Sequence, residues 1–517
     1  MATKANSRIF DDLAQSGAEI LADAKSLEFY AHDIYARGSD LSAVVRPRDT
    51  GQLAAAVGIA TALGLQVIPR GGGMSYTGGY ISDIAGAVVF DLSAMNRILE
   101  VNQADMTVTV EAGCTWATLY ETLTPLGLRT PFWGTLSGLK ATVGGGMSQN
   151  CLFWGSGRYG TGVQSCVALE VVLADGSIIK TGSDFARPYG PDLTGLFLAD
   201  TGAMGMKATI TLRLIPEAKA HGFASFTFKT HGAMLGAIAD IERSGIATEC
   251  FGFDPKLNSI RMKRDSLSGD AKALVGMMKA QGSVLKALKE GVKVVVAGRD
   301  FMDDAQFSLH ILAEGRIQAA ADADISEARK IVNRYGGTET ENTIPKIIRA
   351  NPFGPLNSIL GPQGERWAPV HGLLPHSRAQ ACYDAIEALF DARRDEMAAN
   401  GIHTGTLIAA VGGAGVLIEP CLYWPDVRNP LIEATVEKAH LDKLPVGAAS
   451  PDGREAVHSI KQALVDLFFE YGAAHLQIGR AYRYADSLDP AASALLGAVK
   501  AHLDPGSRMN NGVLGIL

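Results

Sequence analysis

The sequence predicts an α+β fold, and three patterns along the chain support that prediction. Up to about residue 218, short runs of β-branched residues alternate with glycine-rich turns. From 219 to 455, longer helical patterns alternate with strands. A tail from 456 to 517 contains two further helical patterns. We therefore expect three segments, 1–218, 219–455 and 456–517, which form layered units around separate cores.

The first segment combines one clear helix with several strands. The helix is predicted at 50–65, TGQLAAAVGIATALGL, where apolar residues recur at helical spacing. Runs rich in valine, isoleucine and threonine, bounded by glycine, predict strands. These strands lie at 85–92 (AGAVVFDL), 106–113 (MTVTVEAG), 166–177 (CVALEVVLADGS) and 206–216 (MKATITLRLIP).

The later segments have longer helices between their strands. A strand at 222–230 (GFASFTFKT) precedes a helix at 234–245 (MLGAIADIERSG). The stretch 379–401 predicts a second helix, and 404–424 (TGTLIAAVGGAGVLIEPCLYW) predicts a pair of strands around a glycine turn. In the tail, helices are predicted at 456–472 and 490–503. This order indicates a second α/β layered unit that ends in a helical tail.

Composition excludes several classes of function. The chain has 517 residues, 47% of them hydrophobic, and a formal net charge of −7, with no Lys- and Arg-rich stripe that would bind nucleic acid. Its six cysteines are scattered without a C-x-x-C pair, which predicts buried reduced thiols and no metal site. No signal pattern and no apolar run of membrane-spanning length is present. We expect a cytoplasmic protein without a membrane span.

The stretch 66–80, QVIPRGGGMSYTGGY, places three glycines directly after a predicted strand. It lacks the G-K-[ST] of a P-loop, and a strand rather than a helix follows it, so neither common nucleotide motif fits. An irregular loop of unprotected amides remains, which suits a pyrophosphate. A glycine-rich connection between strands explains the stretch equally well at this point.

A second glycine cluster favours the phosphate interpretation. Residues 134–150, GTLSGLKATVGGGMSQN, lie about seventy residues downstream and precede GSGRYG at 155–160. Two amide-rich loops in one unit indicate a single long anionic ligand.

Taken in order, these motifs resemble a known superfamily. VVRPRDTGQLAAAVGIATALGLQVIPRGGG, ATVGGGMSQN, GRYG, LEVVLADG, DLTGLF and GAMGMKATITLRLIP resemble the FAD-binding domain of the vanillyl-alcohol oxidase and p-cresol methylhydroxylase (PCMH-type) superfamily. The resemblance is close over 40–218 and looser beyond. It implies a PCMH-type FAD-binding domain of two subdomains at 1–218. It also implies a ferredoxin-like α/β cap at 219–455 that carries the substrate site, and a C-terminal segment that returns to the FAD domain.

The resemblance also implies which residues hold FAD. The predicted cofactor-binding set is Arg70, Gly71, Gly72, Gly73, Met74, Ser75, Thr135, Leu136, Ser137, Gly138, Thr142, Gly144, Gly145, Gly146, Ser148, Asn150, Gly205, Met206 and Arg508. Arg508 is the nearest candidate to stabilise negative charge on the reduced flavin, because Val513 occupies the position of a family lysine. Met74 occupies the position of the histidine that links FAD covalently in several relatives. We therefore expect non-covalent FAD.

The substrate class is left open between two subgroups. Phenolic-alcohol oxidases carry a tyrosine and arginine clamp, of which Tyr471 is present and the adjoining arginine is missing. Arg480 and Tyr482 are the candidates to replace the pair. D-2-hydroxy-acid dehydrogenases carry two histidine-rich metal segments, which here read GGAGVLIEP and AHLQIGRAY and retain only His475. We expect an alcohol or phenolic substrate first and a 2-hydroxy acid second. A catalytically inactive flavin-binding subunit is the third reading.

The catalytic candidates follow from the same segments. His475 or Tyr76 is expected to accept the substrate's proton, and Arg480 to hold an anionic oxygen. His371 and His376 are further candidates for substrate contact, each with a structural role as the alternative, and Glu419 is a lesser candidate base. The expected partners are a small-molecule substrate, oxygen or an electron-acceptor protein, and a second copy of the chain in a homodimer.

Overall fold

The computed structural model describes residues 9–262 and 306–516 and arranges them as two units that face each other across a cleft. Residues 1–8 of the first predicted segment, 263–305 of the second and 517 of the third lie outside the described residues.

The first unit begins with a four-stranded sheet in the order β1-β2-β4-β3. β2, β4 and β3 are parallel, whereas β1 pairs antiparallel with β2. The predicted helix at 50–65 is confirmed as α2, which begins after the capping residue Asp49. The elements are β1 (Glu19–Leu21), α1 (Ala24–Tyr30), β2 (Leu41–Arg46), α2 (Thr50–Ala62), β3 (Val67–Arg70) and β4 (Ala87–Asp91).

A second sheet, in the order β5-β6-β10-β8-β9, is antiparallel throughout and completes this unit. A two-stranded sheet joins β7 to β11. The strand elements are β5 (Ile98–Asn102), β6 (Thr107–Glu111), β7 (Leu128–Arg129), β8 (Cys166–Val172), β9 (Ile178–Gly182), β10 (Met206–Arg213) and β11 (Ile215–Pro216), and the helices are α3 (Trp116–Leu123), α4 (Val143–Gln149) and α5 (Ser156–Tyr159). One apolar core extends between the two larger sheets.

The second unit, the cap, is built on an eight-stranded antiparallel sheet in the order β15-β12-β14-β13-β18-β19-β16, with β17 also paired to β19. Its strands are β12 (Ala220–Phe228), β13 (Glu249–Phe253), β14 (Phe307–Gly315), β15 (Thr338–Thr340), β16 (Arg366–Pro369), β17 (Gly372–Leu374), β18 (His403–Val411) and β19 (Gly415–Trp424). The helices are α6 (His231–Ser244), α7 (Pro255–Met262), α8 (Gln318–Arg334), α9 (Thr343–Ala350), α10 (His376–Ala392), α11 (Arg394–Ala399), α12 (Pro430–Thr435) and α13 (Lys438–Leu441). The α+β prediction is confirmed.

The strand β19 shows how the cap sheet divides its two faces. Val416, Ile418 and Leu422 point into the core that the cap helices cover. The alternate residues Leu417 and Glu419 line the cleft instead. Because successive side chains of a strand point to opposite faces, one strand serves both the core and the site.

The C-terminal segment contributes to both units. α14 (Pro451–Glu470) packs in the core of the cap, so the boundary predicted at 455/456 falls inside a cap helix and was wrong there. After α15 (Pro490–Leu503), the chain returns to the first unit, where Val67 N donates to Arg508 O at 2.9 Å and Asn510 N donates to Val67 O at 2.9 Å. Among the helices that the structure describes, none is long and apolar enough to cross a membrane.

Candidate active site

The cleft between the two units brings together residues that are distant in the sequence. Of the predicted cofactor-binding set, the residues that line it are Gly71, Gly72, Gly73, Met74, Ser75, Thr135, Leu136, Ser137, Thr142, Gly144, Gly145, Gly146 and Ser148. Of the predicted catalytic set, Tyr76 and His371 line it. The two glycine clusters therefore meet at one cleft, as a single extended ligand would require.

The first glycine cluster forms a loop whose carbonyl groups are bound by the protein. Tyr80 Oη lies 2.6 Å from Gly73 O and 2.9 Å from Ser75 O. The backbone N–H groups of residues 72–77, in contrast, donate to no acceptor among the residues that the structure describes. A loop with bonded carbonyls and unbonded amides presents the positive ends of its peptide dipoles, and this arrangement suits an anion.

Two of the loop's glycines are required by the protein itself. A Cβ on Gly72 would lie 1.8 Å from Lys140 O, and a Cβ on Gly71 would lie 2.4 Å from Thr142 Oγ1. The sequence analysis explained this stretch by a pyrophosphate, and these contacts within the protein are a second reason for its glycines. Gly71 and Gly72 let the two glycine clusters pack against each other, which fixes the width of the cleft.

The second glycine cluster is partly helical, which corrects its prediction as an amide-rich loop. Residues 143–149 form α4, and its cap Thr142 accepts a hydrogen bond from Gly145 N at 3.1 Å. A Cβ on Gly144 would lie 2.6 Å from Ala112 Cβ, and one on Gly146 would lie 2.9 Å from Trp116. Most amides of this cluster are already bonded, so the first cluster offers more donors to an anion.

Two predicted cofactor-binding residues of the second glycine cluster, Gly138 and Asn150, lie outside the cleft lining. Gly138 packs against the ring of Phe353, where a Cβ would come within 2.4 Å of ring carbons. Asn150 ends α4 with a φ of 52°, a conformation that asparagine tolerates better than most residues. In the fold, Gly138 allows close contact with the Phe353 ring, and Asn150 ends α4.

Arg70 was predicted to cradle the pyrophosphate, but its side chain is buried behind the loop. The guanidinium lies 4.9 Å from the ring centroids of both Tyr30 and Tyr80 and donates to Tyr30 O and His32 O. Arg70 is 3% exposed and is absent from the cleft lining. It supports the first glycine loop and does not face the cleft.

The other corrected cofactor residues lie farther from the cleft lining. Met206 is fully buried within the second sheet, and a Cβ on Gly205 would meet Val171 at 2.5 Å. The Arg508 guanidinium lies near Gly64, before β3 begins, whereas the glycine loop follows the end of β3. Arg508 is therefore misplaced for a charge beside the flavin.

The cap contributes a carboxyl group to the cleft. Tyr76 Oη donates to Glu419 Oε1 at 2.9 Å and accepts a hydrogen bond from Gln477 Nε2 at 3.2 Å. Burial raises the pKa of Glu419 to about 7, against a smaller opposing effect of the Tyr76 hydrogen bond. Burial also raises the pKa of Tyr76 well above its ordinary value. Of these two hydrogen-bonded groups, Glu419 is therefore the one that changes charge near neutral pH.

His371 lies in the connection between β16 and β17, near Glu419 of β19. His371 Nε2 donates to Leu476 O at 2.8 Å, which leaves Nδ1 as an acceptor for the Tyr482 hydroxyl at 3.2 Å. Burial, with a further contribution from His475, lowers the pKa of His371 to about 3. The ring is therefore neutral, and its distance of 4.0 Å from Glu419 Oε1 exceeds a hydrogen bond.

His475 supports this arrangement from behind and is absent from the cleft lining. Its Nδ1 donates to His371 O at 2.8 Å, and its ring stacks on Tyr482 at 4.0 Å. Burial lowers its pKa to about 4. The prediction that His475 accepts the substrate's proton is not supported by this position. His376 also lies outside the lining and pairs with Glu242 at 3.3 Å.

Arg480 was predicted to hold an anionic oxygen, but all the contacts of its guanidinium are with the protein. Nη1 donates to Gly78 O at 2.6 Å, Nη2 donates to Asn511 O at 2.6 Å, and Nε lies 2.9 Å from Asp83 Oδ2. It is absent from the cleft lining. Arg480 joins the first glycine loop to the C-terminal segment, and this corrects its predicted role.

A buried lysine that the sequence analysis missed supports the same loop. Lys461 Nζ, on α14, donates to Tyr76 O at 3.1 Å and lies 3.9 Å from the ring centroid of Tyr35. Burial lowers its pKa to about 8, although Asp33 opposes this shift. Nothing in the local sequence marks this lysine, because only the packing of α14 against the loop brings it here.

The rest of the cap wall is largely apolar, with Ser358 as a polar member. Its other lining residues are Leu257, Leu356, Ile359, Trp367, Leu407, Leu417, Cys421, Tyr423 and Leu476. Among the described residues that line the cleft, none is lysine or arginine, and Glu419 is the acidic one. In the same part of the chain, no three His, Cys, Asp or Glu side chains gather to hold a metal ion. The cap side of the cleft is therefore suited to an uncharged organic group beside the Glu419 carboxyl.

Comparison with known proteins identifies the domain that carries the glycine clusters. Residues 41–182 match a family described as an FAD binding domain. In overall fold, a crystal structure of p-cresol methylhydroxylase with substrate bound matches 99% of this chain and 96% of its own, with a TM-score of 0.69 and 17% identity. The chain therefore contains an FAD binding domain and shares its overall fold with p-cresol methylhydroxylase.

Two curated relatives match part of this chain. The glycolate oxidase subunit GlcD of Bacillus subtilis is 29% identical over 201 residues, or 38% of this chain and 42% of the relative. A probable mitochondrial D-lactate dehydrogenase of Danio rerio is 35% identical over 193 residues, or 35% of this chain and 37% of the relative. Each match thus spans about two fifths of the length of the relative.

The residues of the cleft fit FAD. Beyond the unbonded amides of residues 72–77, three buried polar atoms near α4 have no hydrogen-bond partner among the residues described: Trp116 Nε1, Gln149 Oε1 and Asn150 Oδ1. Buried polar atoms are normally paired, so these atoms indicate a polar ligand. Trp116 and Gln149 line the cleft, and neither was predicted from the sequence.

Proposed function

We propose that the protein is an FAD-dependent oxidoreductase that oxidises the hydroxyl-bearing carbon of an uncharged, aromatic or otherwise apolar alcohol. The observation that carries this proposal is Glu419, a carboxyl with a pKa of about 7 in a largely apolar cap wall opposite the FAD-binding loops. A base is most effective when its pKa lies near the working pH.

Glu419 is the proton acceptor in this proposal. His371 has too low a pKa to compete, and Tyr76 too high a pKa to ionise near neutral pH. Tyr76 and Gln477 instead orient the Glu419 carboxyl through the chain of hydrogen bonds from Gln477 to Tyr76 to Glu419. A base held in one orientation within a dry cavity loses little free energy to reorganisation.

The chain's own residues divide the remaining work. The amides of residues 72–77 bind the cofactor's diphosphate, and the apolar wall excludes water from the reacting carbon. When bound, FAD supplies the hydride acceptor. Met74 cannot form the covalent link of a histidine, so we propose that FAD is held non-covalently. Oxygen or an electron-acceptor protein then reoxidises the flavin.

A 2-hydroxy acid is the second candidate, and the names of the curated relatives favour it. Such a substrate carries a carboxylate, and burying that charge without a partner is costly. The described lining residues include no lysine or arginine to pair with it. The cap wall therefore supports an uncharged alcohol, and each of these relatives matches less than half of this chain.

Anaerobic reduction of the flavin tests these alternatives. Purified protein with bound FAD is mixed with benzyl alcohol, 4-hydroxybenzyl alcohol, D-lactate or glycolate, and bleaching of the flavin absorbance is followed. We expect bleaching by the two alcohols and not by the acids. Bleaching by D-lactate or glycolate alone would establish the second candidate. If the flavin can be reduced by dithionite but by no member of the panel, the proposed alcohol oxidation is wrong for this chain.

A further inference from the structure

The apolar wall of the cleft extends in one direction from Glu419, along β19. Its alternate residues Glu419, Cys421 and Tyr423 all line the cleft. At roughly 3.3 Å per residue, Tyr423 stands about 13 Å from Glu419 along the strand. On the opposite side of Glu419, the row ends after a single further lining residue, Leu417, because β19 begins at Gly415.

Pairing between strands defines the shape of this extension. At the level of Glu419, the neighbouring strand β18 presents Leu407. At the next level, Cys421 is paired with Gly405, which has no side chain. At the last level, Trp367 of β16 and His403 of β18 flank Tyr423, and the His403 ring stacks on Tyr423 at 5.2 Å.

Cys421 carries a small side chain between Glu419 and Tyr423 in this row of the cleft lining. On one side of it, helix α7 fills the space over Gly405, where a Cβ would lie 2.8 Å from Leu257, and Leu257 itself lines the cleft. On the other side, Cys421 is paired with Pro369 of β16. The small thiol therefore leaves the room between the polar level of Glu419 and the aromatic level of Trp367 and Tyr423.

We propose that this extension binds the part of the substrate that is remote from the hydroxyl group, and that Cys421 sets the size of the group admitted there. The inference rests on the proposed oxidation of an alcohol at Glu419. It narrows the substrate class to alcohols with an extended apolar body, such as a benzylic alcohol with an alkyl chain or second ring opposite the reacting carbon. The edge of Trp367 and the ring of Tyr423 contact the far end of that body.

The wall contains no competing charged group that would select a polar tail. Leu257, Leu356 and Ile359 are further apolar residues of this lining, and Ser358 is an uncharged polar one. Each additional methylene buried in such a wall stabilises binding, so the effect accumulates along an extended apolar chain. Longer apolar alcohols are therefore expected to be better substrates than benzyl alcohol.

The test compares two alcohols in three proteins that carry FAD. The rate constant of anaerobic flavin reduction, divided by the substrate concentration at half saturation, is measured for benzyl alcohol and for 4-pentylbenzyl alcohol. In the wild type, we expect the ratio of pentyl to unsubstituted substrate to exceed one. In Cys421→Phe, the ratio is expected to fall by about tenfold or more, because the added ring occupies the space of the tail. In Cys421→Ala, which removes volume, the ratio is expected to stay or rise.

Equal ratios in all three proteins would overturn the role of Cys421 while leaving the alcohol oxidation intact. Absence of reduction by either alcohol in the wild type would instead contradict the proposed function itself. If Cys421→Phe does not retain FAD, Cys421→Leu adds less volume and provides the same comparison. A ratio below one in the wild type would show that the extension does not hold an apolar tail.

Discussion

Glu419 on β19 and His371, in the connection between β16 and β17, face each other in the cap, with 4.0 Å between Glu419 Oε1 and His371 Nδ1. Burial shifts their pKa values in opposite directions, to about 7 for the carboxyl and about 3 for the imidazole. Between these values both groups are neutral, so the pair stays buried without an uncompensated charge. Above pH 7, the carboxyl alone becomes charged.

The first prediction concerns the carboxyl. Glu419→Gln keeps the size of the side chain and its bond to Tyr76 but removes the base. We expect the rate of flavin reduction by an alcohol to fall about 10²- to 10⁴-fold, with FAD content unchanged. Stopped-flow absorbance measures the rate. The matched control is Glu433→Gln, an exposed carboxyl on α12, for which a wild-type rate is expected. A wild-type rate in Glu419→Gln would remove Glu419 from the reaction.

The second prediction is the pH dependence of the same step. The folded-state pKa of Glu419 is raised, so the protonated form persists up to about pH 7 and only the ionised form accepts a proton. The rate should therefore rise about tenfold per pH unit below 7 and level off above it. His371 is neutral across this pH range, so its titration does not add a second slope to the pH–rate profile. A profile that falls with rising pH would assign the titration to a different group.

The fold and the FAD cleft could be predicted from local patterns, since each pattern is a property of a short stretch. The β-branched runs, the helix after Asp49 and the glycine loop after β3 all lie where the sequence placed them. Gly72 was identified as a position without room for a side chain. The neighbour that requires it, Lys140 O, could not be identified, because that contact joins loops almost seventy residues apart.

The candidate catalytic residues on the cap side of the cleft were predicted less well, because their positions also depend on contacts between distant parts of the chain. Arg480 and His475 were chosen for their position in a segment that crosses the site, yet their side chains turn to the protein and not to the cleft. Glu419 was ranked below them because the sequence gives no measure of burial, and burial is what raises its pKa. The alternation of β19 was the one available signal, since Leu417, Glu419 and Cys421 share a face.

The third prediction concerns the link to FAD. Met74 lines the cleft at the position of the linking histidine and offers no nucleophile for a covalent bond. Precipitation with trichloroacetic acid is therefore expected to release the flavin into the supernatant, where its absorbance is measured. Flavin that remains yellow in the washed pellet would show a covalent bond through another residue.

The fourth prediction separates support of the loop from contact with substrate. Arg480 bonds Gly78 O and Asn511 O, so Arg480→Ala should loosen the first glycine loop and weaken FAD binding. We expect the dissociation constant for FAD to rise about tenfold or more, since each lost charge-assisted hydrogen bond costs roughly 1.5 to 3 kcal/mol. The rate of reduction in FAD-saturated protein should change little. Arg483→Ala, which removes an exposed arginine paired with Asp466, is the control with wild-type binding.

The last prediction tests the contact between the two glycine clusters. In Gly72→Ala, the new Cβ would meet Lys140 O at 1.8 Å, so one backbone segment must move. We expect a loss of roughly 1 to 3 kcal/mol of stability together with weaker FAD binding, because the same movement widens the cleft. Gly497→Ala is the matched control: it lies within α15, no atom of the described residues lies within 4 Å of its new Cβ, and alanine favours a helix by about 1 kcal/mol. Thermal unfolding should therefore shift down for Gly72→Ala and up or not at all for Gly497→Ala. If Gly72→Ala unfolds at the wild-type temperature and binds FAD normally, the loops are not in the close contact described, and the free amides of residues 72–77 would then be the sole reason for glycine in this loop.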